Sequence, residues 1–170
     1  GNSAINTNAD AEIQVTEAAA YTGTIDVGYK NIADLTGIEA FTAIDSLICH
    51  VNQLTSVNIS ACTALKHFNC DYNQLTNLNV SANTALTMLY CYSNQLTSLN
   101  VSANTALNWL QCSGNQFTSL NVTANTDLTN LYCYDSQLTS LDLSANTPLA
   151  TLEWELSQLT RLNYKNGNKE

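Results

Sequence analysis

"CYSNQLTSLNVSANTAL", Cys91–Leu107, returns almost unchanged one step earlier and one step later in the chain. Set on its leucine-type residue, the series runs Ile44, Leu65, Leu86, Leu107, Leu128 and Leu149, at a constant interval of 21 residues. Counting that residue as position 1, position 4 carries Leu47, Phe68, Leu89, Leu110, Leu131 and Leu152. Position 6 carries Cys49, Cys70, Cys91, Cys112 and Cys133, then Trp154. Position 9 carries Asn52, Asn73, Asn94 and Asn115, then Ser136 and Ser157. A unit this short cannot bury its own apolar face, so copies must stack into a solenoid.

Positions 4 and 6 alternate inward along a short strand, and strands of successive coils pair in parallel about 4.8 Å apart. The Asn at position 9 stands where the chain leaves the strand. Its amide can satisfy turn backbone in its own coil and in the neighbouring one, as a buried ladder. The pattern LxxLxCxxNxLxxLxV resembles the leucine-rich repeat family, in particular the short bacterial repeats related to internalins. The resemblance covers residues 22 to 164, with repeats starting near 22, 44, 65, 86, 107, 128 and 149. It implies an α/β solenoid: a curved, right-handed array of mostly short parallel strands in one sheet of about seven, with an irregular convex side. The first unit, "TIDVGYKNIADLTGIEAFTAI" (Thr24–Ile44), is worn. Ile25 and Val27 hold strand positions, Lys30 replaces the Asn, and the register slips by one residue before Ile44. Residues 1–21 are expected to form a cap and 165–170 a polar tail. The serines at 136 and 157 weaken the ladder, so a distorted last coil is expected.

With 5 Lys+Arg against 14 Asp+Glu, the net charge is −9. That argues against nucleic acid as a partner, because phosphate contacts need a basic footprint, and against docking on anionic lipid. The chain holds no run of about 18 apolar residues, so membrane insertion is not expected. It begins without Met or a signal peptide, as a trimmed mature fragment would.

The six cysteines are read as packing. Column neighbours lie a coil apart with parallel side chains about 4.8 Å apart, whereas a disulfide wants Cβ atoms about 3.8 Å apart and suitably angled. A CxxC pair of the kind that zinc favours is missing. Free Cys is a small hydrophobe, and here it takes a leucine's place. Cys62 stands apart, in the slot that Asn83, Asn104, Asn125 and Asn146 fill in later coils.

Function in an array belongs where the repeats disagree. Positions 3, 5, 7 and 8 vary from coil to coil, and six of the chain's thirteen aromatics gather there: Tyr72, Tyr90, Tyr92, Trp109, Tyr132 and Tyr134. Tyr and Trp give large contact area at low entropic cost and dominate binding hot spots. The competing reading is cross-strand packing of aromatics that suit any sheet. The candidate site centres on Trp109, Tyr90, Tyr92, Tyr132 and Tyr134, with Tyr72, His67, Asp71, Gln111 and Asp135 around it. His50, His67 and Asp71 make a faint triad-like group. Recognised enzyme motifs such as GxSxG, HExxH or a P-loop are missing, so catalysis is not expected.

At the N-terminus, "NTNADAEIQVTE" (Asn6–Glu17) is similar to a calcium loop. Asn6, Asn8, Asp10, Glu12 and Glu17 stand at ligand positions, but Ala11 occupies the position where the sharp turn wants Gly. The alternative is a degenerate loop feeding a short helix that covers the array's end. No other cofactor is expected. The internalin resemblance implies a non-catalytic adhesion scaffold, secreted or on a bacterial surface, gripping a protein partner on its concave sheet. Glycan binding by the Tyr/Trp columns is a second reading. Ice binding by the Thr columns (Thr55, Thr76, Thr97, Thr118, Thr139 and Thr63, Thr84, Thr105, Thr126, Thr147) is a third.

Overall fold

The computed structural model describes residues 14–154 and 159–164. Every coil contributes one three-residue strand at positions 3 to 5. These are β1 (Thr24–Asp26), β2 (Ser46–Ile48), β3 (His67–Asn69), β4 (Met88–Tyr90), β5 (Trp109–Gln111), β6 (Asn130–Tyr132) and β8 (Thr151–Glu153). They form one seven-stranded sheet, with neighbours parallel throughout. Thr24 pairs with Ser46 and Ser46 with His67, so the first step is one residue longer than the rest, as the slipped register predicts.

The convex side carries something the sequence reading did not anticipate. β7 (Ser140–Asp142) and β9 (Arg161–Asn163) pair in parallel as a second, two-stranded sheet. A bridge between Asn100 and Asn121 sits at the same repeat position two coils earlier. The return side is thus extended enough to begin pairing, though only in places. Among the described residues, helix is confined to α1 (Val15–Ala20) and a 3-10 turn at Ile38–Ala40, against which α1 packs. Twenty-one residues leave no room for a helix in each coil.

The core is the repeat itself. Leu47, Phe68, Leu89, Leu110 and Leu131 are fully buried, as are all five column cysteines and Cys62. All six cysteines are free thiols. Burial pushes Cys49 and Cys133 up to about 12 and raises the others. A protonated, enclosed thiol is neither nucleophile nor ligand. Cys70 and Cys112 instead donate S–H to the carbonyls of Tyr90 and Tyr132 in the next coil, at 3.4 and 3.5 Å.

Position 9 forms the expected ladder. Asn94 Nδ2 donates to the carbonyl oxygens of Cys70 (3.0 Å) and Cys91 (3.2 Å), while its Oδ1 accepts the N–H of Leu75 at 3.0 Å. Asn73 and Asn115 repeat the arrangement. Ser136 donates to Cys133 O within its own coil, and its shorter side chain lacks the amide's reach. Ser157 lies outside the described residues.

A second ladder runs through position 19. Asn104 Nδ2 donates to Val80 O (2.9 Å) and Asn83 O (2.8 Å), and Asn83, Asn125 and Asn146 do the same one coil apart. Cys62 opens this column with its thiol against Ile38 O at 3.5 Å, the bond that the amide makes later. The odd cysteine is therefore a weaker donor in an asparagine's place.

Candidate functional site

Within each strand the central residue points into the core, and its two neighbours face the opposite side. Positions 3 and 5 of β3 to β6 therefore form two adjacent columns, and large rings at alternating positions meet diagonally. His67 and Tyr90 lie 5.4 Å apart between centroids, Tyr90 and Trp109 6.0 Å, and Trp109 and Tyr132 5.4 Å. The last two contacts are tilted by only 30° and 28°. Four coils thus share one continuous row of rings. The sequence reading treats these columns as exposed, but mutual stacking half-buries Tyr90, Trp109 and Tyr132. Trp109 Nε1 is itself enclosed and has no hydrogen-bond partner.

A second group lies beside it at positions 7 and 8. Tyr72 and Tyr92 meet edge to face at 4.9 Å, and Tyr92 and Tyr134 lie 6.0 Å apart at 49°. Tyr92 and Tyr134 belong to coils two apart. They meet because the intervening coil carries Ser113, fully buried with its hydroxyl donating to Gln111 Oε1, and Gly114, which has no side chain. Position 8 is where the chain turns off the strand in the left-handed region, with φ of 51° at Val51 and Tyr72, 53° at Ser93, 61° at Gly114 and 50° at Asp135. Only Gly adopts that conformation without steric cost.

Asp71 is half-buried beside the second group. Its Oδ1 accepts the N–H of Tyr92 at 2.6 Å. Desolvation raises the carboxyl to about 6, against a smaller lowering by that hydrogen bond. His67 is pushed down by burial, and its Nδ1 lies 3.4 Å from Ser46 Oγ. His50 sits one coil away against Tyr29, ring centroids 4.8 Å apart, with Nδ1 buried and unbonded. His50, His67 and Asp71 are not joined by a hydrogen bond to one another in the way a triad requires, and among the described residues no group of His, Cys, Asp and Glu is arranged to hold a metal. Gln111 lies beside Trp109 on β5, and Asp135 is exposed next to Tyr134.

The N-terminal loop is only partly visible. Glu17 lies in α1 and accepts the N–H of Gln14 as half of a capping box. Asn6, Asn8, Asp10 and Glu12 lie outside the described residues. Both threonine columns are exposed on the turn and return sides. A shallow groove of about 180 Å³ lies on the return side between Asp34, Glu39 and Asn58, away from the aromatic face. Among the described residues, no helix is long and apolar enough to cross a membrane.

Residues 8–146 match the family model described as the leucine-rich repeat domain of endo-β-N-acetylglucosaminidase EndoS. The chain belongs to this leucine-rich repeat family. Its fold is shared with the functional domain of InlJ from Listeria monocytogenes, whose structure is described as including a cysteine ladder. That match has 33% identity and a TM-score of 0.76, covering 91% of this chain and 41% of the other. The internalin InlF of the same organism gives a TM-score of 0.76 at 20% identity, covering 92% and 51%. A leucine-rich repeat protein of Leptospira interrogans, LIC12759, gives 0.66 at 25% identity, covering 75% and 38%. The chain thus spans about half or less of the first two structures. No curated protein matches the sequence.

The internalin-like reading of the repeat is accordingly upheld, down to its cysteine column. What sequence reasoning missed in this leucine-rich repeat array was the second asparagine ladder, although its period was plain in Asn83, Asn104, Asn125 and Asn146. It also missed the division of the aromatics into a stacked row and an angled cluster, which follows from Ser113 and Gly114.

Proposed function

We propose that the chain is a non-catalytic recognition scaffold, secreted or held at a bacterial surface, that binds a protein partner on the aromatic face of its seven-stranded sheet. The observation that carries this is the unbroken row His67, Tyr90, Trp109, Tyr132 across four consecutive strands. Pre-packed rings lose little side-chain entropy on binding, which is the property that makes aromatics good anchors.

The same geometry favours protein over glycan. Sugars dock flat on the face of an aromatic ring. In this row Trp109 and Tyr132 stack on one another and His67 meets Tyr90 edge to face, so ring surface that a sugar would need is taken up within the row. Glycan remains the second reading because the family takes its name from a glycosidase.

The test pairs a glycan array with cross-linking capture from extracellular proteins, followed by affinity measurement on the captured partner. Trp109→Ala and Tyr132→Ala should each weaken that partner by about 2 kcal/mol or more, as for hot-spot truncations. Thr97→Ala, on the turn side, should leave it unchanged. A glycan bound through Trp109, with no protein partner sensitive to these variants, would overturn the protein reading.

A further inference from the structure

The second aromatic group differs from the first in a way that specifies a ligand. Its rings meet at steeper angles, edge to face at 83° between Tyr72 and Tyr92 and at 49° between Tyr92 and Tyr134, with Tyr72 52% exposed and Tyr92 and Tyr134 partly open to solvent. Tyr92 and Tyr134 meet over Gly114, which has no side chain, and Ser113, whose side chain is buried. A Cβ added at Gly114 would come within 3.2 Å of Tyr92 Cε2, so even a methyl group would crowd the site.

Charge supplies the second observation. At positions 3, 5, 7 and 8 of the described coils, the only formal charges are carboxylates: Asp26, Asp71, Asp135 and Glu153. Two of them flank this cluster, Asp71 against the Tyr92 backbone and Asp135 next to Tyr134. Among the described residues, no Lys or Arg occupies those positions.

We propose that Tyr72, Tyr92 and Tyr134, with Asp71 and Asp135, form a subsite for a cationic side chain, an arginine or lysine presented by the protein partner. Tyrosine π faces attract a guanidinium or ammonium ion through the ring quadrupole, and the carboxylates add long-range attraction and orientation. A stacked row beside it for apolar contact, and an angled acidic cluster for a cation, would together read a basic-aromatic or basic-aliphatic surface. The subsite deepens the recognition reading and rests on it for its biological role, but its chemistry can be tested without the partner.

The probe is N-acetyl-arginine amide, titrated against the whole chain while tyrosine ring resonances are followed by NMR. The neutral isostere N-acetyl-citrulline amide serves as control. The arginine probe should shift Tyr72, Tyr92 and Tyr134 and should bind several-fold more tightly than citrulline. Tyr134→Leu should weaken it about two- to five-fold, as expected for loss of one exposed cation–π contact, whereas Tyr134→Phe should retain it. Asp135→Asn should weaken it more than Asp127→Asn, which removes the same charge away from the cluster. Trp109→Leu should leave the probe's affinity unchanged while lowering that of the captured partner, so the two readings fail separately. Equal response to citrulline, equal loss in Asp127→Asn, or shifts centred on Tyr90 and Tyr132 would each overturn the subsite.

Discussion

Removing the Asn94 side chain is the most direct test of what holds the array together. The amide closes four contacts: donation to Cys70 O, to Cys91 O and, at 3.3 Å, to Tyr92 O, and acceptance from Leu75 N–H. The contacts to Cys70, Cys91 and Leu75 are buried and that to Tyr92 is partly so. In Asn94→Ala, the Leu75 N–H becomes a buried donor without an acceptor, which costs about 1–3 kcal/mol. The three carbonyls lose one partner each, a smaller penalty because a carbonyl has two lone pairs. The total is about 3 kcal/mol, less whatever a water entering the vacated space restores. Ser136→Ala is the internal comparison. That hydroxyl makes one bond, to Cys133 O in its own coil, so its loss should cost about 1 kcal/mol. The assay is urea unfolding followed by both circular dichroism and Trp109 fluorescence, because a repeat array can lose two-state behaviour when one coil is weakened. Equal destabilisation by the two variants would refute the argument that inter-coil bonds carry the ladder's strength.

Asp71 should make stability fall as pH rises. Its folded value of about 6 exceeds the ordinary 3.8, so the folded chain holds the proton more tightly. That stabilisation is complete at acid pH and lost between about pH 4 and pH 6. Asp71→Asn keeps an acceptor for Tyr92 N–H, so it should match the wild type near pH 3.5. It should exceed it by about 1–3 kcal/mol at pH 8, given the shift and partial access of solvent. A difference that does not change with pH would remove the desolvation argument. Gly114→Val places a β-branched residue at φ 61° beside the Tyr92 ring and should cost more than about 1–2 kcal/mol in thermal melts. Little change in melting would mean that the turn relaxes. Native thiol labelling should modify fewer than one of the six cysteines per chain, and denaturation should release all of them. Rapid native labelling of the column would contradict the strand register.

The inward half of this protein is legible in the sequence because packing repeats without variation. A single period of 21 residues fixes Leu at position 4, Cys at position 6 and Asn at position 9 on inward or turn sites, and the structure returns them there. The slip before Ile44 even gives the longer step between β1 and β2. The outward half is legible only as composition. That tyrosines crowd positions 5, 7 and 8 is plain, but whether two rings stack or diverge depends on side-chain directions across coils. Tyr92 reaches Tyr134 only because Ser113 folds down onto Gln111 and Gly114 adds nothing. The left-handed turn was hidden for a similar reason. Gly marks it in one coil and Asp135, which tolerates it, in another, while Val51, Tyr72 and Ser93 adopt it against their preference.

That preference points to how stability and recognition are divided. A β-branched or aromatic residue in the left-handed region costs about 1–2 kcal/mol, and the array bears it at position 8 in coil after coil. At Val51, Tyr72 and Ser93 it can do so because the next residue, the ladder Asn, ties the same turn to its neighbour from inside through Nδ2 and Oδ1, while after Asp135 the Ser136 hydroxyl bonds Cys133 O within the same coil. Residue identity at position 8 is therefore free of the task of making the turn. Glycine would serve the backbone better at Tyr72 and Asp135, yet those positions hold the ring and the carboxylate that complete the angled cluster. Gly114 occurs where a Cβ would come within 3.2 Å of the Tyr92 ring, beneath its contact with Tyr134. The inner ladders thus let the outer face vary by residue, and the variation is concentrated where a partner's cation would sit.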